Sequence, residues 1–577
     1  MRFEVWAPRP ERVELVLGED RDRHEMAAVA GRDGWWRVEV DGVGAGHRYG
    51  FSLDGGPVRP DPRSPSQPDG VDGLSEVVDH GAFAWTDQAW RGIPLASAVI
   101  YELHVGTFTE AGTFDAAIEK LPHLVDLGVD AVELLPVNEF PGERGWGYDG
   151  VNLFAPHHAY GGPEGLKRFV DACHGAGLAV VLDVVYNHLG PAGNHLGEFG
   201  PYFTEKYSTP WGMAVNLDDR GSDEARRFFL DNGRLWLRDY HCDGLRIDAV
   251  HALVDGSALH LLEELGLEVE ALSAALGRSL FLIAESDLND PRVVARRDVG
   301  GYGMDAQWSD DFHHALHTVL TGERSGYYAD FGSLEQLATA LRRVFVHAGE
   351  FAPERGRRHG RAVPEGMPGW RFLGYLQDHD QIGNRAQGER SSHLLAPARL
   401  RIAAALVLTA PFVPMLFMGE EWGATSPFQY FTDHPDPDLG RAVSEGRRSE
   451  FASFGWAPED VPDPQDVATF ERSKLRWAEA GEDDHADLLA WHRALIRFRR
   501  STPALTDGRL GAVVVEVDEA AGRLELRRGP VRVLVNLGAA PWSAPLGDGR
   551  IALSSPSGIE PGAGSVEVPP DGVVLFH

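Results

Sequence analysis

Two cysteines in 577 residues, Cys173 and Cys242, leave no material for a disulfide framework, and their spacing is not that of a zinc site. Both read as ordinary buried thiols. No run of about 18 uninterrupted apolar residues occurs, which argues against a membrane-spanning helix. The first seventeen residues, MRFEVWAPRPERVELVL, alternate polar and apolar side chains without the basic segment and apolar core of a secretory signal, so cytoplasmic residence is the expectation. Positive charge is also scarce. Lys and Arg number 54 against 87 Asp and Glu, a formal charge of −33, and such a field repels phosphate backbones and anionic membranes. Nucleic-acid and membrane partners are therefore set aside, whereas a neutral substrate tolerates the field. The acidity itself requires no reason beyond solubility.

The chain is too long for one ordinary core, and an α/β barrel can absorb most of its length. Residues 1–92 read as short strands separated by turns, among them Phe3–Trp6, Val13–Leu17, Trp35–Val40 and His47–Phe51, the pattern of a β-sandwich. Trp35 and Trp36 are read as core residues of that module. A Pro- and Asp-rich strap, Pro57 to Gly73, leads onward. Residues 93–503 alternate apolar strands with helical segments, and residues 504–577 return to strands in a small C-terminal β-sandwich.

Eight strands can be counted in the middle region: Val99–Val105, Ala131–Leu135, Ala179–Val185, Gly244–Val250, Phe281–Ser286, Met304–Trp308, Phe372–Gln377 and Pro414–Met418. Several are continuous apolar runs, as strands covered on both faces should be. Helices such as Thr113–Leu127 and Pro163–Ala176 lie between them and end at Gly. Eight such units predict a (β/α)8 TIM barrel. A doubly wound open sheet is the alternative, but no Gly-rich phosphate fingerprint follows the first strand. Two connections are long. One, about 187–220, reads as a loop excursion covering substrate; the other carries the basic run Arg355 to Arg361, read as a solvated surface.

A barrel places its chemistry at the C-terminal ends of its strands, and the acids collect there. Asp183 ends the third strand with Asn187 and His188 just beyond, the fourth carries Arg246, Asp248 and His251, the fifth ends in Glu285, and the seventh runs into Asp378, His379 and Asp380. Arg246 and Asp248, two residues apart on a strand, share a face, so the guanidinium can hold the acid ionised and aimed. That stretch alone leaves open a buried structural ion pair. Three acids converging on one mouth repel one another unless a reaction uses them. Glycosidic cleavage does, needing one acid for the leaving oxygen and another to attack or to activate water. Metal-assisted hydrolysis is the runner-up chemistry, but no HExxH or His-x-His pair stands at a strand end. No cofactor and no metal ion are expected. Asp183 with Asn187 could hold calcium, but a scaffold role for Asp183 beside Arg246 is preferred.

The segments Asp183-Val184-Val185-Tyr186-Asn187-His188, Gly244 through His251, Ala284-Glu285 and His379-Asp380, in that order and on those strands, resemble the four conserved regions of the α-amylase superfamily of glycoside hydrolases. The resemblance implies Asp248 as nucleophile, Glu285 as general acid/base and Asp380 as the carboxylate that distorts the sugar and stabilises the transition state. It further implies Arg246, His188 and His379 around the cleaved sugar, and Tyr148 as the stacking ring. Asp378 departs from the family pattern, in which Asn commonly precedes the His-Asp pair, and is expected to tune hydrogen bonding.

The resemblance extends over essentially the whole chain to superfamily members that cut the α-1,4 bond next to the trehalose end of a maltooligosyl trehalose. The stretches Glu102–Thr109, Ser208–Gly212, Trp308–His317 and Met418–His434 carry this narrower likeness. By it Trp211, His251 and Asp311 join the expected substrate contacts, with malto-oligosaccharides and maltooligosyl trehalose as partners. For Trp211 and Tyr430, core packing and sugar stacking both stay open. A glucan-branching transferase would use the same carboxylates with a sugar hydroxyl as acceptor. A non-catalytic glucan-binding protein would have no use for three converging acids.

Overall fold

The computed structural model describes residues 1–18, 22–452, 456–457, 460–547 and 549–577. Eight parallel strands close into a barrel at its centre: Ile100–Leu103, Ala131–Leu134, Ala179–Val184, Gly244–Ile247, Phe281–Ala284, Ala306–Trp308, Phe372–Gly374 and Val413–Phe417. The last strand pairs with the first, with Leu416 opposite Tyr101, and this closure removes the free edges that an open sheet would expose. Every residue of these strands is buried, which explains why they read as apolar runs and not as alternating ones.

Seven of the eight strands are shorter at their C-terminal ends than the sequence pattern predicts, and the sixth ends at Trp308 as expected. The fourth stops at Ile247 and the fifth at Ala284, so Asp248 and Glu285 are the first residues beyond the ladder. Similarly, the expected helix Thr113–Leu127 is two helices, Phe114–Ile118 and Leu121–Leu127. Pro122 supplies the reason. It has no N–H to donate, and its ring clashes with the carbonyl four residues back, at Ile118, so the first helix must end before the second begins. Helix Gly162–Gly175 forms as expected, with Pro163 in its first turn and left-handed Gly161, φ 114°, setting its start.

Two sheets of the N-terminal region face each other, with Phe3 of one packed 5.0 Å from Tyr49 of the other. Trp35 is buried and Trp36 partly so; the register puts Trp36 on the face of Phe3 and Trp35 on the opposite face, beside Trp6. The excursion after the third barrel strand folds into a hairpin, Phe203–Thr209 with Gly212–Val215. It packs on the N-terminal module through Trp6 against Tyr202, at 5.1 Å, and through Phe51 against Phe199, at 6.5 Å. The N-terminal module thus braces a loop of the barrel mouth. At the C-terminal end a five-stranded sheet and a two-stranded one enclose Leu534, Ala544, Val566, Val568, Val574 and Phe576. Cys173 and Cys242 are buried free thiols. No helix among the described residues is long and apolar enough to cross a membrane.

The floor of the barrel is tied to the segment just before its first strand, which carries Asp87 and Trp90. His174 is held between Asp87, at 2.8 Å, and Asp243, at 3.0 Å, while Trp90 stacks on its ring and donates to Asp243 at 2.7 Å. Burial opposes charge on His174, but the hydrogen bonds to Asp243 and Asp87 outweigh it and raise its pKa above the ordinary 6.5. Replacing His174 by Ala leaves two buried carboxylates short of a partner and should lower stability by on the order of 3 kcal/mol. The sign of the pH effect follows from the raised value: the stabilisation is fully present below the unfolded pKa and fades as pH climbs through the folded one. Thermal melts of wild type and His174→Ala across pH 5–9 should therefore converge toward the alkaline end.

Candidate active site

Arg246 stands at the centre of the barrel mouth with no exposed surface. One of its terminal nitrogens donates to both oxygens of Asp183, at 3.0 Å each, and to Asp248 Oδ1 at 2.6 Å. The other lies 3.9 Å from Glu285 Oε2, and the face of Trp308 covers the guanidinium at 4.5 Å. Opposite charges about 4 Å apart attract by roughly 4 kcal/mol at an effective dielectric near 20. Burying each ion costs several kcal/mol. The balance favours an arrangement in which one cation serves several acids.

Asp248 and Glu285 are joined a second way. Ala249 has φ 39°, a left-handed conformation that costs a non-glycine residue about 1–3 kcal/mol. This turn aims its N–H at Glu285 Oε2, 2.6 Å away. The chain thereby leaves the fourth strand, places Asp248 against Arg246 and occupies one oxygen of Glu285, so that a proton on Glu285 belongs on Oε1. Burial drives the Glu285 pKa well above the ordinary carboxylic value; Arg246 opposes this, and Asp248, Asp310 and Asp380 add to it. Burial likewise lifts Asp183 to about 7 against the pull of Arg246.

Tyr148 reaches in from the loop after the second strand. Its hydroxyl lies 2.6 Å from Asp183 Oδ2 and 2.7 Å from His379 Nε2, with its ring stacked on that imidazole at 5.3 Å. Asp380 is half exposed in the opening, at the start of the short helix His379–Gly383, whose first turn is capped by Asp378 accepting from the N–H groups of Asp380 and Gln381. A cleft of about 410 Å³ adjoins these groups, lined among others by Asp287, Asp310, Tyr327, Arg355 and Asp380.

The structure thus brings Asp248, Glu285, Arg246, Tyr148, His379 and Asp380 together at one mouth. His188 lies beneath Trp211, the two rings parallel at 4.5 Å, and Trp211 is 47 % exposed on the hairpin of the excursion. It is a platform open to solvent and not a core residue. Tyr430 instead packs edge-on against Trp146, at 5.2 Å. His251 sits at the rim, 3.8 Å from Asp287. Asp311 lines the cleft but spends Oδ2 on Asn289 and on the N–H groups of Val346 and His347, at 3.0, 2.7 and 2.8 Å. That arrangement ties down the loop after helix Leu334–Arg343. Its neighbour Asp310, not singled out from the sequence, is held by the Tyr375 hydroxyl and acts electrostatically on Glu285; burial raises it to about 7. The two adjacent acids looked alike in sequence, and only the helix turn separates them.

The basic run is also split by the fold. Arg357 and Arg358 are exposed, as expected, but Arg355 turns inward to Asp287 at 2.9 Å and forms part of the cleft wall. Asp183 has both oxygens engaged by Arg246 and Tyr148, the geometry of a scaffold acid. Among the described residues one group has metal-ligating spacing, Glu139 with His157 and His158. His158 Nδ1 lies 2.7 Å from Glu139 Oε1, so a carboxylate–histidine hydrogen bond accounts for that cluster.

Comparison with known proteins agrees with this architecture. Residues 1–62 match the model of carbohydrate-binding module 48, the isoamylase N-terminal domain, and residues 81–207 that of the α-amylase catalytic domain. Fold and chemistry define an α-amylase-type glycoside hydrolase. The chain is 54 % identical over 546 residues to a malto-oligosyltrehalose trehalohydrolase of Arthrobacter ramosus, covering 94 % of each chain. It is 52 % identical over 560 residues to that of Mycobacterium tuberculosis, covering 96 % of each. A crystal structure described as a putative α-amylase from Salmonella typhimurium superposes with TM-score 0.91 at 39 % identity, over 100 % of this chain and 97 % of that one. The chain belongs to the malto-oligosyltrehalose trehalohydrolase family.

Replacing Arg246 by Lys keeps the charge but not the planar fork, and one ammonium cannot reach Asp183 and Asp248 while stacking on Trp308. Turnover at saturating substrate should fall by roughly 10²–10³-fold, with an unchanged far-UV spectrum.

Proposed function

We propose that the protein is a retaining hydrolase that cleaves the α-1,4 bond adjacent to the trehalose end of a maltooligosyl trehalose, releasing trehalose and a malto-oligosaccharide. In this reading Asp248 is the nucleophile, Glu285 the general acid and then base, and Asp380 the carboxylate that stabilises the oxocarbenium-like transition state. The single observation that carries it is the asymmetry between two neighbouring acids. Asp248 takes a 2.6 Å hydrogen bond from the buried guanidinium, whereas Glu285 is buried, 3.9 Å from the same cation, and burial raises its carboxyl well above the ordinary value. Attack by Asp248 on the anomeric carbon breaks the bond to the leaving oxygen, which takes the proton of Glu285. Water, deprotonated by Glu285, then releases the sugar from Asp248 with two inversions and net retention. Cytoplasmic residence fits the two buried free thiols.

Trp211 on its parallel His188 offers a flat apolar face for a pyranose ring. Arg355, Asp287 and Asp310 line the adjoining cleft with donors and acceptors suited to sugar hydroxyls.

Asp248→Asn and Glu285→Gln should each remove nearly all turnover while leaving the thermal midpoint within a few degrees. Incubation with maltooligosyl trehalose should give free trehalose, and proton NMR at early times should find the new reducing end as the α-anomer. Initial β-anomer would contradict retention, and new α-1,6 branches without trehalose would replace hydrolysis by branching transfer. Activity should fall on the alkaline side as Glu285 loses its proton. Because Asp310 helps to raise Glu285, Asp310→Asn should move that alkaline limb to lower pH.

A further inference from the structure

The stretch Glu102 to Thr109 stands out in the sequence, and Glu102 makes no hydrogen bond or ion pair with Arg246, Asp248 or Glu285. It lies on the first barrel strand, 1 % exposed, and its carboxylate faces His379. Oε1 is 2.6 Å from His379 Nδ1, and Oε2 accepts the backbone N–H of His379 at 3.2 Å. Two contacts from one carboxylate fix both the backbone and the ring of the residue immediately before Asp380. The other ring nitrogen, Nε2, faces the Tyr148 hydroxyl at 2.7 Å.

These contacts form an unbroken chain. It runs from Glu102 through His379 to Tyr148, on to Asp183 at 2.6 Å, and through Arg246 to Asp248. Its end members come from the first and fourth strands, on different sides of the barrel. A carboxylate behind an imidazole fixes which nitrogen carries the proton and stabilises the imidazolium. We propose that Glu102 is a positioning residue of the hydrolytic reaction, holding His379 as a doubly protonated imidazolium whose Nε2–H donates to the Tyr148 hydroxyl and whose charge stands beside Asp380.

The proposal rests on the assignment of Asp248, Glu285 and Asp380 given above. The groups around His379 agree with it. Glu102 and Asp380, the latter at 3.7 Å, place negative charge about the ring; Asp378, Asp183 and Glu133 also face it, with their carboxyls raised by burial, while His104 is the opposing neighbour and Trp146 and Trp308 stand edge-on to it. Burial works against a charged His379, but Glu102 and Asp380 overcome it and raise the ring to about 10. His379 would then remain cationic throughout the working range and would hold the Tyr148 hydroxyl and a positive charge at the cleavage site. Without Glu102 the same burial would return the ring to neutrality near pH 7.

The test is Glu102→Gln, which keeps shape and loses the charge. At pH 7.5 its kcat on maltooligosyl trehalose should fall by about 10- to 100-fold with KM changed much less. Activity should recover as pH is lowered toward 5.5, because acid restores the proton that Glu102 held in place. A purely structural role would lower the melting temperature without acid rescue, and a kcat and pH profile equal to wild type would likewise overturn the proposal. Should Glu102→Gln fail to fold, nitrogen-15 NMR of the wild type, with His379→Gln for assignment, decides. Protons on both ring nitrogens at pH 8 support the proposal, and a single one refutes it. Asp248→Asn and Glu285→Gln run in parallel separate the two ideas: activity in those variants sinks the catalytic assignment, whereas their inactivity beside an unaffected Glu102→Gln sinks only the role of Glu102.

Discussion

A single buried cation organises this molecule. Arg246 has no contact with solvent and holds Asp183 and Asp248 directly, with Glu285 just beyond hydrogen-bonding range. An uncompensated guanidinium at that depth would be intolerable, and so would the acids without it. The third, fourth and fifth strands meet at this point, and the Trp308 face from the sixth closes over it. The ionic requirement and the barrel closure therefore support each other. The barrel brings the charges within reach, and the charges lock the register of the strands that carry them.

The same cation separates the chemistry of two acids that are otherwise alike. Asp248 is in direct contact with the guanidinium. Distance from it, together with burial and nearby negative charge, keeps Glu285 protonated. The strained Ala249 is the hinge of this difference, because its left-handed backbone turns one acid toward the arginine and gives the other a backbone donor. Around this centre the fold adds supports from a distance. The N-terminal sheets brace the hairpin that presents Trp211, and Asp311 anchors the loop leading to Arg355.

Much of this was legible before the fold was seen. Eight apolar runs gave the barrel because strands buried on both faces have no polar side to show. The acids at their ends were readable because a barrel leaves only one place for them. Other features were hidden for definite reasons. Asp310 and Asp311 are adjacent and chemically identical, and which of them acts on Glu285 depends on the phase of a helix that begins there. Arg355 looked like part of a solvated run, since nothing local announces that Asp287, 68 residues away, pairs with it. Glu102 was visible only as part of a motif, because its partner His379 is 277 residues distant.

By itself the sequence determined the barrel and the order of the candidate acids, which follow from local periodicity and residue type, and the class of chain, which follows from the resemblance of four segments to a known superfamily. Tertiary structure alone decided that Asp183 shares the guanidinium and that Glu285 is buried beyond its hydrogen-bonding range, where the strands stop, and how the first strand contacts the residues after the seventh. The reason is physical. Periodicity is a property of neighbours along the chain, whereas protonation and ion pairing depend on distances such as 2.6 Å from Glu102 to His379 and 3.9 Å from Arg246 to Glu285, between residues that only the closed barrel brings together.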